Sequence, residues 1–141
     1  MSNLTIKSLS KADIETALNL IWKVFLEFEA PDYTQEGIDE FYRSIHDEDY
    51  LAALSLYGAF MNEELVGIIA TRSGGKHIAL FFVDGKYHRQ GIGKQLFQSV
   101  KTDKMTVKSS PYAVPVYSKF GFKPVNTEQV VKGLRFTPLA F

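Results

Sequence analysis

The chain has 141 residues, 45% of them hydrophobic, with 16 basic side chains balanced by 16 acidic ones and no cysteine. That length suits one domain able to bury roughly two-thirds of its unfolded surface, and the lack of cysteine excludes disulfides, thiolate metal sites and a cysteine nucleophile. Zero net charge without a long basic run argues against nucleic-acid binding, and no apolar run approaches the ~18 residues of a membrane span.

Met1-Ser2-Asn3-Leu4 has neither the charged region nor the apolar core of a signal peptide, so a cytoplasmic location is expected. Residues 4 to 9 alternate and predict an opening strand. Ser10 with Asp13 marks a helix start. Ile14, Leu18, Ile21, Phe25 and Phe28 then recur at helical spacing, predicting an amphipathic helix that ends before Pro31. A second helix is expected from Thr34, with Ile38, Phe41, Tyr42 and Ile45 on one face, closed by the acidic segment 46–49 as a solvated connection. The pattern then turns extended: a strand over 53–60, a tight turn at 61–64, a partner over 65–71, and a third strand over 77–83 after Ser73-Gly74-Gly75. Ile92, Leu96, Phe97 and Val100 predict a helix, and 105–108 a strand. A short helix follows from near Ala113, with Pro115 in its first turn and Gly121 as a left-handed cap. A last strand is expected over 130–137. There is no repeat, linker or low-complexity segment. The sum is one mixed α/β (α+β) domain, a mostly antiparallel twisted sheet of six to seven strands flanked by about four helices.

The most informative segment joins the apolar strand Leu80-Phe81-Phe82-Val83 to the turn His88-Arg89-Gln90-Gly91-Ile92-Gly93-Lys94 and a helix. The first N–H groups of a helix lack intrahelical partners and sit at the positive end of its dipole, which suits a phosphate. Glycines at 91 and 93 allow close backbone approach, and Arg89 and Lys94 add charge at the rim. A tight strand-to-helix turn alone would also account for two glycines. Two familiar phosphate loops fail. A P-loop would need glycine where His88 stands and Ser or Thr where Gln95 stands. A dinucleotide fingerprint would need glycine at Leu96.

The run Val83 to Leu96 resembles the acyl-CoA loop of the GNAT superfamily of N-acetyltransferases, Arg/Gln-x-x-Gly-x-Gly/Ala, with His88 departing at the Arg/Gln position. Ser109 to Phe122 is similar to a second element of that family, a short helix ending in Tyr-x-x-x-Gly-Phe, here Tyr117 to Phe122. The resemblance implies transfer of an acetyl group from acetyl-CoA to an amine by direct attack in a ternary complex. It implies cofactor contacts along His88, Arg89, Gln90, Gly91, Ile92, Gly93 and Lys94, with the pantetheine arm beside Phe82 and Val83. It also makes Tyr117 the proton donor to the departing sulfur, a role compatible with packing in the core.

A base is less clearly marked. Some relatives use a glutamate on the strand before the glycine loop, but 77–83 holds no carboxylate here. His77 reads most simply as an exposed turn residue. Glu27 and Glu29, near the end of the first helix, read as a solvated face or as part of an acceptor pocket. That pocket would draw on Trp22, Phe25, Phe28, Tyr33 and the second helix. Glu27, Glu29 and Asp32 hint at a cationic acceptor, a small molecule or a peptide amine. No metal, nucleic acid or membrane is implied, and open strand edges are compatible with a homodimer. Two other classes compete: a CoA-binding or protein-interaction domain of the same fold without turnover, and a nucleotide-binding module, which the two failed phosphate loops disfavour.

Overall fold

The computed structural model describes residues 3–141. Strand β1 (Leu4–Ser8) leads to Ser10, whose N–H and hydroxyl both donate to the Asp13 carboxylate, at 2.9 and 3.1 Å. A single 3-10 turn follows, and then α1 (Ile14–Val24). The helix does not stop cleanly at Pro31. It widens into a π-turn over Phe25–Glu29, where the Ala30 N–H reaches back to the Phe25 carbonyl, and ends in a 3-10 turn that accommodates Pro31 in its first positions. Helix α2 (Gln35–Ile45) is capped by the Thr34 hydroxyl. The acidic segment is more than a solvated connection. Asp47 accepts the N–H groups of Asp49 and Tyr50 and so nucleates a short helix, α3 (Glu48–Ala52). That helix delays the next strand to Ser55.

Strands β2 (Ser55–Met61), β3 (Glu64–Arg72) and β4 (His77–Val83) form the expected antiparallel meander. Asn62 and Glu63, both at positive φ, make the first hairpin turn. After the glycine turn come α4 (Ile92–Val100), β5 (Thr106–Ser109) and α5 (Val114–Lys119). Then β6 (Lys123–Pro124), β7 (Gln129–Val131) and β8 (Leu134–Ala140) close the chain. The sequence-based strand over 130–137 is a hairpin instead. Lys132 and Gly133 both take positive φ, the requirement of a two-residue turn, and divide it into β7 and β8.

The strand order is β1-β2-β3-β4-β5-β8-β6, with β7 paired to β8, and among the described residues β4–β5 is the one parallel pair. The sheet is therefore mostly antiparallel, as expected, with eight strands among the described residues where six to seven were expected and five α-helices where about four were. Its two faces carry separate cores. One packs Ile21, Phe25 and Ile45 of the α1–α2 layer against Ile68 and Leu80, and the other packs Leu96, Phe97, Tyr117 and Phe122 against Ile69 and Ile78.

Two irregularities position the site. Ala70 pairs with Leu80 but Thr71 with Ile78, so Ala79 is an extra residue and β4 bulges there. The bulge turns Leu80 and Phe82 to the same face as His77. Second, β4 pairs with β5 only at His77–Thr106 and Ile78–Val107. Beyond that the parallel strands separate, and the second half of β4 leaves one backbone edge free.

Candidate active site

A cleft of about 730 Å³ lies where β4 and β5 separate, bordered by Phe82, Val83, His88, Gly91, Gly93 and the α5 side chains that include Tyr117. Its floor is the glycine turn. Arg89 and Gly91 both take positive φ, and α4 starts from Gly91, whose carbonyl accepts the Gln95 N–H at 3.0 Å. The N–H groups of Ile92, Gly93 and Lys94 precede the first intrahelical bond and point to the cleft end of the helix. A β-carbon on Gly91 would meet nothing within 4 Å, so its space is open to a ligand, and the φ of 81° explains why glycine stands there.

The turn is held from behind. Asp84 is buried, accepts the Lys86 N–H at 3.0 Å and pairs with Lys23 of α1 at 3.0 Å. Burial alone would raise its carboxyl, but those two partners outweigh it and hold it below the usual range. His88 is tied in too. Its Nε2 donates to the Val83 carbonyl at 2.7 Å, which fixes the tautomer, and its ring lies 4.7 Å from that of Phe28. Of the predicted cofactor residues, Phe82, Val83, His88, Arg89, Gly91, Ile92, Gly93 and Lys94 border the cleft. Gln90 does not. Its amide turns away to the Lys86 carbonyl.

A second cavity, of about 310 Å³, opens on the α1–α2 face and is walled by Tyr33, Phe41, His77, Ser110 and the β7–β8 hairpin. The hairpin seats on α2 through two glycines. A β-carbon on Gly37 would fall on the Gly133 carbonyl, so neither position tolerates a side chain. Phe25 and Tyr33 line this cavity as anticipated, whereas Phe28 lines the cleft. Trp22 stacks on Phe25 and meets Tyr42 edge to face instead, and Glu27 lies exposed beside the Gly85 turn. His77 is no turn residue. It opens β4, and its Nδ1 bonds the Thr106 hydroxyl at 2.7 Å. Burial first, then the charges of Arg72 and Lys108, press its pKa down to about 4.

The two cavities meet. Glu29, Phe81, Phe82, Ala113 and Tyr117 border both. The π-turn is what carries Glu29 there, one extra residue per turn rotating it off the solvated face that a regular helix would give it. Burial pushes its carboxyl up to about 7, with the Ser110 hydroxyl partly offsetting and Asp32 adding. Tyr117 is 4% exposed. Burial, and then the nearby charge of Glu29, hold its hydroxyl protonated at any physiological pH. The α5 end locks its backbone: the Phe122 N–H bonds the Tyr117 carbonyl at 3.1 Å and Gly121 bonds Ser118, a Schellman cap at φ 100°.

Over residues 29–141 the chain matches the family described as the acetyltransferase (GNAT) domain. The chain belongs to the GNAT family of acetyltransferases. It is similar to YafP, an uncharacterized N-acetyltransferase of Escherichia coli, at 24% identity over 97% of this chain and 93% of that one. Among solved structures it resembles a GCN5-related N-acetyltransferase from Rhodopseudomonas palustris, with TM-score 0.84, 19% identity, and 99% and 96% of the two chains covered. It also resembles the PaiA N-acetyltransferase of Thermoplasma acidophilum in complex with coenzyme A, with TM-score 0.77, 22% identity, and 99% and 98% covered. These likenesses carry the GNAT fold across nearly the whole chain. Sequence reasoning missed the side of this GNAT site built by Arg72, His77, Lys108 and Ser110. Arg72, His77 and the pair Lys108 and Ser110 stand in three separate segments, and strand register and the bulge bring them together.

Proposed function

We propose that this GNAT protein transfers an acetyl group from acetyl-CoA to a primary amine, both bound at once. The observation that carries the reading is the meeting of an open glycine-turn cleft and a separate cavity at Glu29 and Tyr117. The cleft fits the cofactor: the helix N-terminus and Arg89 and Lys94 suit a diphosphate, and the β4 edge beside Phe82 and Val83, left unpaired by β5 although His88 takes the Val83 carbonyl, suits an amide-bearing arm. When bound, acetyl-CoA supplies an acetyl thioester, whose thiol has an unperturbed pKa near ~8.5 and leaves more readily when a proton is provided.

The acceptor amine enters as an ammonium, with an unperturbed pKa near ~10.4 for a lysine-like group. Glu29 takes one proton from the nitrogen and passes it to water through the open side of the cavity. A carboxyl poised near neutrality suits this exchange in both directions. The new N–C bond then forms as the C–S bond breaks. Tyr117, kept neutral, gives its proton to the departing sulfur and regains one from the nitrogen as it becomes an amide. Protons therefore balance, with one released per turnover.

The test is release of free CoA thiol from acetyl-CoA over a panel of primary amines. The wild type turns over with at least one amine class. Tyr117→Phe keeps the ring and lowers kcat about 100-fold, with the rise in Tm caused by acetyl-CoA unchanged. Equal rates in the variant at every pH would reduce Tyr117 to packing. Binding of acetyl-CoA without turnover on any amine would leave a CoA-binding domain and no catalyst.

A further inference from the structure

The acceptor cavity is charged unevenly along its length. Its lining includes the carboxylates Glu29 and Glu40 and the cations Arg72, Lys108, Lys132 and Arg135. Glu40 is held by Arg43 at 2.6 Å, and Arg135 by Glu128 at 3.1 Å. Arg72 and Lys108 are in none of the ion pairs found among the described residues. The Lys108 ammonium lies over the ring of Phe136, 5.3 Å from the centroid.

Register places these two charges together. Arg72 of β3 lies opposite His77 of β4, and His77 opposite Thr106 of β5. Lys108 follows Thr106 by two residues and shares its face. Three adjacent strands thus present Arg72, His77 and Lys108 side by side, and both cations act on the His77 ring. On their other side the same three residues border a further cavity of about 600 Å³ with Lys76 and Lys104, whose lining side chains include no carboxylate. Among the described residues no ion pair neutralises Arg72 or Lys108 on this floor. The remaining uncommitted carboxylate, Glu29, sits at the opposite end, with Tyr117.

From this polarity we infer that the acceptor is a small amine carrying an anionic group, a carboxylate or a phosphate or phosphonate, several bonds from its nitrogen. Arg72 and Lys108 hold the anion, and the nitrogen lies at Glu29 and Tyr117. Arginine's planar fork suits either oxyanion, and lysine adds a point charge. Neutral His77 offers a further polar atom without competing charge. Three to five residues of β4 separate His77 from Leu80 to Phe82, about 10–16 Å at strand rise, which the long Arg72 and Lys108 side chains shorten. That span favours an ω-amino acid or aminoalkyl phosphonate over an α-amino acid. The same floor repels a diamine, contrary to the cationic acceptor hinted at by Glu27, Glu29 and Asp32. Of those three only Glu29 lines the cavity.

The inference rests on the acetyltransfer reading for its orientation of the nitrogen, so its test reads binding as well as turnover. Calorimetric titration with CoA present, and CoA release with acetyl-CoA, would compare 6-aminohexanoate, 3-aminopropylphosphonate, glycine, hexylamine and 1,6-diaminohexane. The two anionic ω-amines are expected to bind at least 10-fold more tightly than hexylamine and the diamine. An Arg72→Gln/Lys108→Gln protein loses that preference while keeping its hexylamine affinity and its acetyl-CoA-induced rise in Tm. Preference for the diamine, or an indifferent double variant, overturns the inference even if amines are acetylated. Tight, Arg72- and Lys108-dependent binding without turnover upholds the anion site and instead defeats the acetyltransfer reading.

Discussion

The glycine-turn cleft, which we propose binds the cofactor, and the second cavity, proposed for the acceptor, share five residues yet are built on opposite principles. The floor of the cleft is backbone: a separated strand edge, a left-handed turn and a helix start within residues 81–94, walled by side chains of the first helix and α5. The acceptor cavity is side chain: a π-turn, a neighbouring helix, three strand positions in register and a hairpin tip, spread from residue 25 to 136. Backbone recognition tolerates almost any side chain except where glycine is required. Side-chain recognition turns on charges that neighbouring elements must bring together. The first kind of site leaves a contiguous trace in sequence, and the second does not.

Three variants probe that contrast, the largest effect first. Gly91→Glu puts a carboxylate, on strained backbone, into the space open to a diphosphate, and should lower acetyl-CoA affinity more than 100-fold by calorimetry in a folded protein. Unchanged affinity would move the cofactor off the turn. Glu29→Gln strikes the junction and should cost roughly 10- to 100-fold in turnover. It should also remove the rise in wild-type rate as pH increases through about 7, where the carboxyl loses its proton. The stability effect has the opposite sign. A carboxyl raised from 4.5 to about 7 favours the folded state fully below 4.5, and that contribution is lost as pH rises through about 7. Glu29→Gln should therefore gain a few degrees in Tm over wild type above pH 7 and little near pH 4, as thermal scans across pH would record. A variant that is slower but never more stable would argue that Glu29 is well paired, not a strained base.

The smallest effect tests how far the cleft depends on a side chain at all. His88→Phe keeps the contact with Phe28 and removes the donor to the Val83 carbonyl. It should cost about 1 kcal/mol in urea unfolding and weaken acetyl-CoA binding only severalfold. A loss as large as that of Gly91→Glu would make His88 a principal ligand and erase the contrast between the two regions.

Much of the architecture was legible because local chemistry and tertiary outcome agree. The Ser10–Asp13 start, the Asn62-Glu63 turn and the α5 cap at Gly121 all form as the residues suggest. The misreadings have local causes. Lys132-Gly133 lies inside an extended pattern although its glycine permits a hairpin, and Asp47 lies in an acidic run that suggests a solvated connection although aspartate is a strong N-cap. For Glu29 the helical pattern leaves a solvated face and an acceptor pocket both open, and for His77 the pattern suggests a turn, because such patterns assume regular geometry. A π-turn and a bulge at Ala79 break that regularity.

By itself, then, the sequence determined the order of the main elements, the glycine turn with its helix, and Tyr117 at the head of Tyr-x-x-x-Gly-Phe, because each depends on residues within a few positions of one another. Tertiary structure alone decided where Glu29 points, how Arg72, His77 and Lys108 converge across three strands, and that the two cavities meet. Those facts depend on register and helix winding, which are settled by packing between segments far apart in the chain.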